Sequence, residues 1–445
     1  MSAELLARVQ FGLTAGFHFL FPPLTIGLGW INVWILARYL RTRDDLYRRM
    51  ARFWIRVFAL TFAVGVATGI TLEFQFGTNW SEYSRFVGDI FGAPLAAEGI
   101  LSFFLESTFL AVLLFGWGRV SPRAYFVSSM LVAFGATLSA FWIIVANSWQ
   151  QTPAGYTIDP VSQRAVLTNF WAAVFNPSTV PRYLHTVDAS LITGSLFVLG
   201  LSAWFILKGR HLDFAKESMR IALIVALISS LAQLGLGHMH AVQVAETQPL
   251  KLAAGQALFE TQRRAPILLF GIPDEENERI IGEISVPAIL SILVAFDPNA
   301  EVKGLKDFQP KSDWPPVAVT YFSWHLMVIC GTFFIGLTVL GVYLARIGRL
   351  YTTRWYLWLA VLAIPLPFIA NELGWICAEV GRQPWAVYGM LRTADAVSVV
   401  VPAGEVLASI ILISTIYGVL FAAWVLVLRR IMREGPEPSG EEADP

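Results

Sequence analysis

His18, Glu98, Glu106, His185, Met327 and Glu379 interrupt or border long apolar runs in this 445-residue sequence. Side chains of these types can bind a metal or carry a proton, and an ionisable group set into hydrocarbon is costly enough to need a reason. A His–Met axial pair holds a low-spin haem, and His185 with Met327 could form one. His18, Glu98 and Glu379 then remain for further haems or metals, although histidine and glutamate without cysteine can equally hold a non-haem metal. Glu106 follows Glu98 by eight residues, about 12 Å further along the same side of a helix. Ser107 and Thr108 follow it and Ser139 lies in the next apolar run, so Glu106 is a candidate proton relay. Singly, each has a plainer reading: a histidine satisfied by a neighbour, a methionine filling the core, a glutamate facing headgroups or hydrogen-bonded to another helix. His211 sits in a basic link and is expected to be solvated. His238 and His240, two apart, point to different faces and do not share a metal. His325 lies two residues before Met327 and is expected near the same haem edge. Cys330 and Cys377 have no metal-ligand spacing and are read as structural.

The elements that must position these groups are membrane helices. The chain is 56% apolar and 14% charged, with mean hydropathy +0.60; soluble domains carry about a quarter charged residues. The formal net charge of zero offers nothing to a nucleic acid. Nine runs approach the ~20 residues needed to cross hydrocarbon: 12–37, 54–76, 94–117, 124–146, 184–207, 219–240, 319–345, 355–376 and 404–428. A further run at 286–296 is about half the required length and is expected to lie at the surface. The start, MSAELLARVQ, lacks a basic region before an apolar stretch, so the first run is expected to stay as a helix.

Charge placement supports that count. Arg38, Arg41, Arg43, Arg48, Arg49 and Arg52 fill the first link, and Arg119 with Arg123 the third. Lys208, Arg210, Lys216 and Arg220 fill the fifth, and Arg346, Arg349 and Arg354 the seventh. Arg429, Arg430 and Arg433 follow the ninth span. Every second link is basic, which puts the N-terminus outside and the C-terminus inside. A tenth span would place the last two clusters outside. The fold class is therefore an all-α polytopic membrane protein, divided as 1–240 (spans 1 to 6), a long outer segment 241–318, 319–430 (spans 7 to 9) and a disordered tail 431–445. On this topology His18 lies about two turns into span 1, Glu98 and His185 at the first turns of spans 3 and 5, Met327 about two turns into span 7, and Glu379 beyond the outer end of span 8. All fall in the outer part of the membrane.

The runs GFHFLFPPLTIGLGW, GVATGITLEFQFGTNW, GAPLAAEGILSFFLESTFLAVLLFGW, LSAFWIIVANSWQQTP, QPLKLAA and GWICAEVGRQPW resemble subunit I of cytochrome bd oxidases. The resemblance covers most of spans 1 to 4, parts of 5 to 8 and the start of the outer segment. It implies that His185 and Met327 are the axial ligands of a low-spin b haem. His18, Glu98 and Glu379 would serve a high-spin pair, a second b haem and a haem d, or a b haem in its place. Arg382 and Trp385 would lie beside the haems, Lys251 and the position of Gln256 would belong to quinol oxidation, and Glu106 and Ser107 to a proton path from the cytoplasm. The chain would then oxidise membrane quinol at the outer face and reduce O2 to water with protons from the cytoplasm. It would contribute to the proton-motive force without pumping, in the bacterial inner membrane, beside a second subunit and, in some members, a single-helix peptide.

Two departures stand out. The family often has arginine where this chain has His325, whose charge depends on pH near neutrality. It often has glutamate where this chain has Gln256, which can hydrogen-bond a quinol hydroxyl but cannot take its proton; Glu246 or Glu260 could substitute. The outer segment is also short for the family. The rival readings are a bd-like electron-transfer protein without oxygen chemistry and, from another class, a proton-coupled transporter using Glu98 and Glu106. The high-spin residues argue against the first, and the lack of an internal repeat against the second.

Overall fold

The structure is a computed structural model that describes residues 2–438. Among these residues nine helical spans are long and apolar enough to cross a membrane, and each overlaps one of the expected runs. They are longer than the runs, because a helix does not end where hydrocarbon does. The first span is two helices, α1 (Ala3–Phe19) and α2 (Pro22–Thr42). The break falls before Pro22–Pro23, where a missing N–H and ring clashes stop the α1 ladder. α3 (Asp45–Thr78) is the second span. The third runs from α4 (Ser81–Ala97) through a π-helical turn at Glu98–Phe103 into α5 (Phe104–Phe115). α6 (Pro122–Gln151), a short α7 (Phe170–Val174), α8 (Thr179–Leu207) and α9 (Leu212–Thr247) follow.

After the outer segment come α12 (Val317–Arg346) and the eighth span, split at Pro365 into α13 (Arg354–Leu362) and α14 (Leu366–Val380). A short α15 (Thr393–Ala396) precedes α16 (Ala403–Glu434).

The long segment between the sixth and seventh spans begins after Thr247, later than the expected 240, and is folded. It contains α10 (Pro249–Gly255) and α11 (Ile289–Ala295). α11 is the apolar run at 286–296; it packs against α9 and does not span. Short antiparallel pairs occupy the links: β1 (Tyr156–Ile158) with β2 (Ala165–Leu167), β3 (Gln262–Arg263) with β6 (Glu301–Val302), β4 (Ile267–Asp274) with β5 (Arg279–Val286), and β7 (Trp385–Val387) with β8 (Leu391–Arg392). The all-α reading did not include them. They satisfy loop backbone groups that have no helix to join.

α8 and α9 pack along each other. α2 and α13 lie against α8, and α12 lies between α9 and α14. α2 and α8 cross at Gly27 and Gly194, where a Cβ on Gly194 would stand 2.6 Å from the Gly27 backbone. Small residues allow such close crossings in membranes. α1, α3 and α16 form a second group, and α4 to α6 flank it.

Ion pairs tie elements together at both ends of the bundle. At one end Arg56 pairs with Glu434 at 2.5 Å and Arg52 with Glu437 at 2.9 Å. α16 thus continues past residue 430, and Glu437 of the expected tail is engaged; residues 439–445 lie outside the described residues. At the other end Asn79 accepts from the Ser398 backbone N–H at 2.9 Å, and Arg392 pairs with Asp313 at 2.6 Å.

Candidate haem-binding site

Under the outer segment, the C-terminal turn of α14 carries Glu379 into a buried polar junction. Its Oε1 accepts from Asn147 and Gln151 of α6, both at 3.1 Å, and lies 3.6 Å from Arg182 of α8. Its Oε2 pairs with Arg382 at 2.6 Å. Arg182 also bonds Asn147, and Arg382 donates to Gln150 Oε1 at 2.7 Å and to the Trp385 carbonyl at 3.1 Å. The Arg392 guanidinium lies 4.7 Å over the Trp385 ring.

Lys251, on α10, is turned into this junction. It is 6% exposed, and its Nζ donates to Gln151 and, at 2.6 Å, to Gln248 Oε1. Gln151 therefore bridges Lys251 to Glu379. Burial pushes the Lys251 ammonium well below the usual lysine value; Arg182 adds to this and Glu379 opposes it. Gln256, five residues on, is buried with its Oε1 unpaired.

His185 and Met327 face bare backbone. A Cβ on Gly237 of α9 would stand 3.4 Å from the His185 ring, and one on Gly374 of α14 would stand 3.2 Å from the Met327 sulfur. His185 Nδ1 is buried without a partner, and the Gln233 amide nitrogen lies 3.4 Å from its Nε2. His240 packs against His185 with ring centroids 5.6 Å apart, while His238 meets Phe296; the two do face different ways. His325 does not share the Met327 side. Two residues along a helix turn a side chain to the far face, and its ring nitrogens meet the carbonyls of Tyr321 at 2.9 Å and of Leu268 in β4 at 3.1 Å. It pins the outer segment to α12.

His18 lies about four turns below the start of α1, not two, because α1 begins at Ala3 rather than 12. Its Nδ1 is 3.0 Å from the Thr68 hydroxyl. That hydroxyl has one hydrogen, directed at the Val64 and Gly65 carbonyls, so toward His18 it accepts. Nδ1 then carries the ring proton and Nε2 keeps its lone pair for a metal. Gly69 leaves the ring free on one side.

Glu98 opens the π turn midway along its span, not at the first turn, because the polar stretch from Ser81 is already helical. π turns inside helices occur often at functional sites. Glu98 Oε1 accepts from Ser139 at 2.8 Å. Glu106 is 6% exposed and lies on Gly135 of α6, where a Cβ would stand 2.6 Å from its Cγ; Ser107 beside it is half-buried.

These observations fit haem. No three His, Cys, Asp or Glu side chains gather to hold a single ion among the described residues. Arg182 and Arg382 place two buried cations against the single Glu379 carboxylate, with Lys251 bridged to it through Gln151, and buried charge must be paired. Haem propionates would supply the anions the junction lacks. Both Glu379 oxygens are engaged, so ligation of iron requires one contact to yield. His18 Nε2, His185 Nδ1 and the Met327 sulfur have no such competitor.

Sequence reasoning missed Arg182, Gln151, Thr68 and Glu372. Arg182 is a charge in the first turn of an apolar span, and the cost rule that picks out the glutamates applies to it equally. Glu372 lies about two turns before Glu379 on the same face of α14 and has a buried unpaired oxygen. The partners of Thr68 and Gln151 depend on tertiary packing and leave no signal in sequence.

A family model for cytochrome bd terminal oxidase subunit I matches residues 6–436. The chain is 42% identical over 446 residues to cytochrome bd ubiquinol oxidase subunit 1 of Bacillus subtilis, covering 98% of this chain and 95% of that one. It is 35% identical to cytochrome bd-II ubiquinol oxidase subunit 1 of Escherichia coli, covering 98% of each. The structure of bd oxidase from Geobacillus thermodenitrificans superposes with TM-score 0.91 at 30% identity, over 98% of this chain and 99% of that one. The spans, the buried junction and these matches together place the chain in the cytochrome bd terminal oxidase subunit I family, as a multi-pass, haem-associated protein of the bacterial inner membrane.

Proposed function

We propose that this chain oxidises membrane quinol at the 248–316 segment and reduces O2 to water with protons from the cytoplasm, as an electrogenic oxidase that does not pump. Its N-terminus would face outside, with two b haems and one haem d, or a b haem in its place. A second subunit and, where present, a single-helix peptide would complete the complex. The observation that carries this reading is the junction of Lys251, Gln151, Glu379, Arg182 and Arg382. It joins the outer segment to the buried haem-side carboxylate through side chains alone.

Bound haem supplies the electron transfer and the oxygen activation. His185 and Met327 would hold the low-spin group, each against a glycine that leaves it room. His18, presented by Thr68 with Nε2 free, would hold one high-spin iron, with Glu98 and Glu379 serving that pair. Arg182, Arg382 and Lys251 would pair with propionates. Gln256 Oε1, buried and unpaired, would accept a hydrogen bond from a quinol hydroxyl without taking its proton. The Lys251 amine, when neutral, has two hydrogens for its two amide acceptors and keeps a lone pair. Glu106 and Ser107 would hold protons on their way from the basic end of the bundle, with Trp385 held beneath Arg392 at the outer rim.

Lys251→Ala in the purified complex is the test. Quinol-driven oxygen uptake should fall while uptake driven by an artificial electron donor persists. Equal loss with both donors, at full haem content, would show that the 248–316 segment does not handle quinol.

A further inference from the structure

α1 and α3 face each other with polar stripes that neither quinol oxidation nor proton supply has used. On α1 the stripe is Gln10, Thr14 and His18, four residues apart and so on one face; on α3 it is Thr68, Thr71, Gln75 and Asn79. Gln10, Thr14, Thr68 and Gln75 are 2%, 0%, 0% and 3% exposed in an otherwise apolar bundle. Asn79 donates to Gln10, which donates to Ser409 of α16 at 2.7 Å. Gln75 donates to Thr14 at 2.5 Å, and the Tyr417 hydroxyl faces Thr14 and Thr71. Thr68 ends the file at His18. Three buried polar atoms along it have no hydrogen-bond partner: Gln75 Oε1 midway, the Tyr417 hydroxyl facing Thr14 and Thr71, and the Trp80 indole N–H at the end next to Asn79. An unpaired buried acceptor in a polar setting is a site for an ordered water.

We propose that this file between α1, α3 and α16 is a water path that carries product water from the His18 side to the outer face. The proposal rests on the oxygen-reducing reading, since it is that reaction that makes water there. The residue types suit water and not protons. A proton relay needs groups that accept on one side and release on the other. The amides of Asn79, Gln10 and Gln75 are each fixed as N–H donors to a neighbour and cannot pass a proton on. The side chains of the file therefore relay no proton themselves.

The test is X-ray radiolytic labelling of the purified resting complex after rapid mixing with 18O-water. Hydroxyl radicals formed from water at the file mark adjacent aromatic side chains with the heavy isotope. Tyr417 and Trp80 should both take the label in the wild-type complex. Gln75→Leu should lose it at Tyr417, keep it at Trp80 and slow quinol-driven oxygen uptake with an unchanged haem spectrum; Gln75→Asn should restore part of the Tyr417 label. A wild-type complex unlabelled at Tyr417, or Tyr417 labelling indifferent to Gln75→Leu, would overturn the proposal. Labelling is read without turnover. A labelled file in a complex that takes up no oxygen would refute the oxidase reading and with it the product-water role, whereas an active oxidase with a dry file would refute the water path alone.

Discussion

Met327 and Glu106 illustrate how differently two buried residues can be tested. Met327 has a thioether against bare Gly374, and its sulfur is the one atom leucine lacks. Met327→Leu should abolish the low-spin b signal while leaving the other haem bands, and an unchanged low-spin spectrum would refute its role as ligand. Glu106 is buried with its Cγ against Gly135, where glutamine fits but cannot carry a proton. Glu106→Gln should lower oxygen uptake by about 100-fold or more, the scale of lost proton-transfer catalysis, with haem content unchanged; wild-type turnover would remove it from the proton route. Glu106 was legible in sequence as a costly group in an apolar run, whereas Met327 stood out only as a possible axial partner of His185, with core filling as its plainer reading. The hydroxyl of Thr68 that fixes the His18 ring, and the Gln151 bridge from Lys251 to Glu379, were not legible. Each depends on which helix becomes the neighbour.

At the scale of elements, the nine spans were legible because about 20 apolar residues have few alternatives. Their lengths were not, since amphipathic turns such as Ser81–Gly92 continue a helix beyond hydrocarbon without an apolar signature. That error put His18 and Glu98 nearer the starts of their helices than the structure does. The Pro22–Pro23 break and the split at Pro365 are readable from proline chemistry, whereas the π turn at Glu98 has no sequence rule behind it. The α2–α8 crossing offers a test of packing. Gly194→Val would force its Cβ into the Gly27 backbone, and overpacking of this kind costs about 1–3 kcal/mol. Thermal unfolding of the detergent-solubilised complex should shift down, with haem loss at lower temperature; an unchanged transition would mean that the two helices can separate freely.

For the whole molecule, the alternation of basic links gave the two ends of the bundle before any coordinates, and the structure keeps the arginine–glutamate pairs of α3 and α16 at one end and the folded 248–316 segment at the other. The account depends on haem held by His185 and Met327 and by His18, with propionates at the arginine junction. The most direct measurement is the dithionite-reduced minus oxidised spectrum of the purified complex, with haem extraction from the same sample. The account predicts b-type bands together with a chlorin band, or b-type bands alone where a b haem takes the third place; a complex that purifies intact with no haem would contradict it.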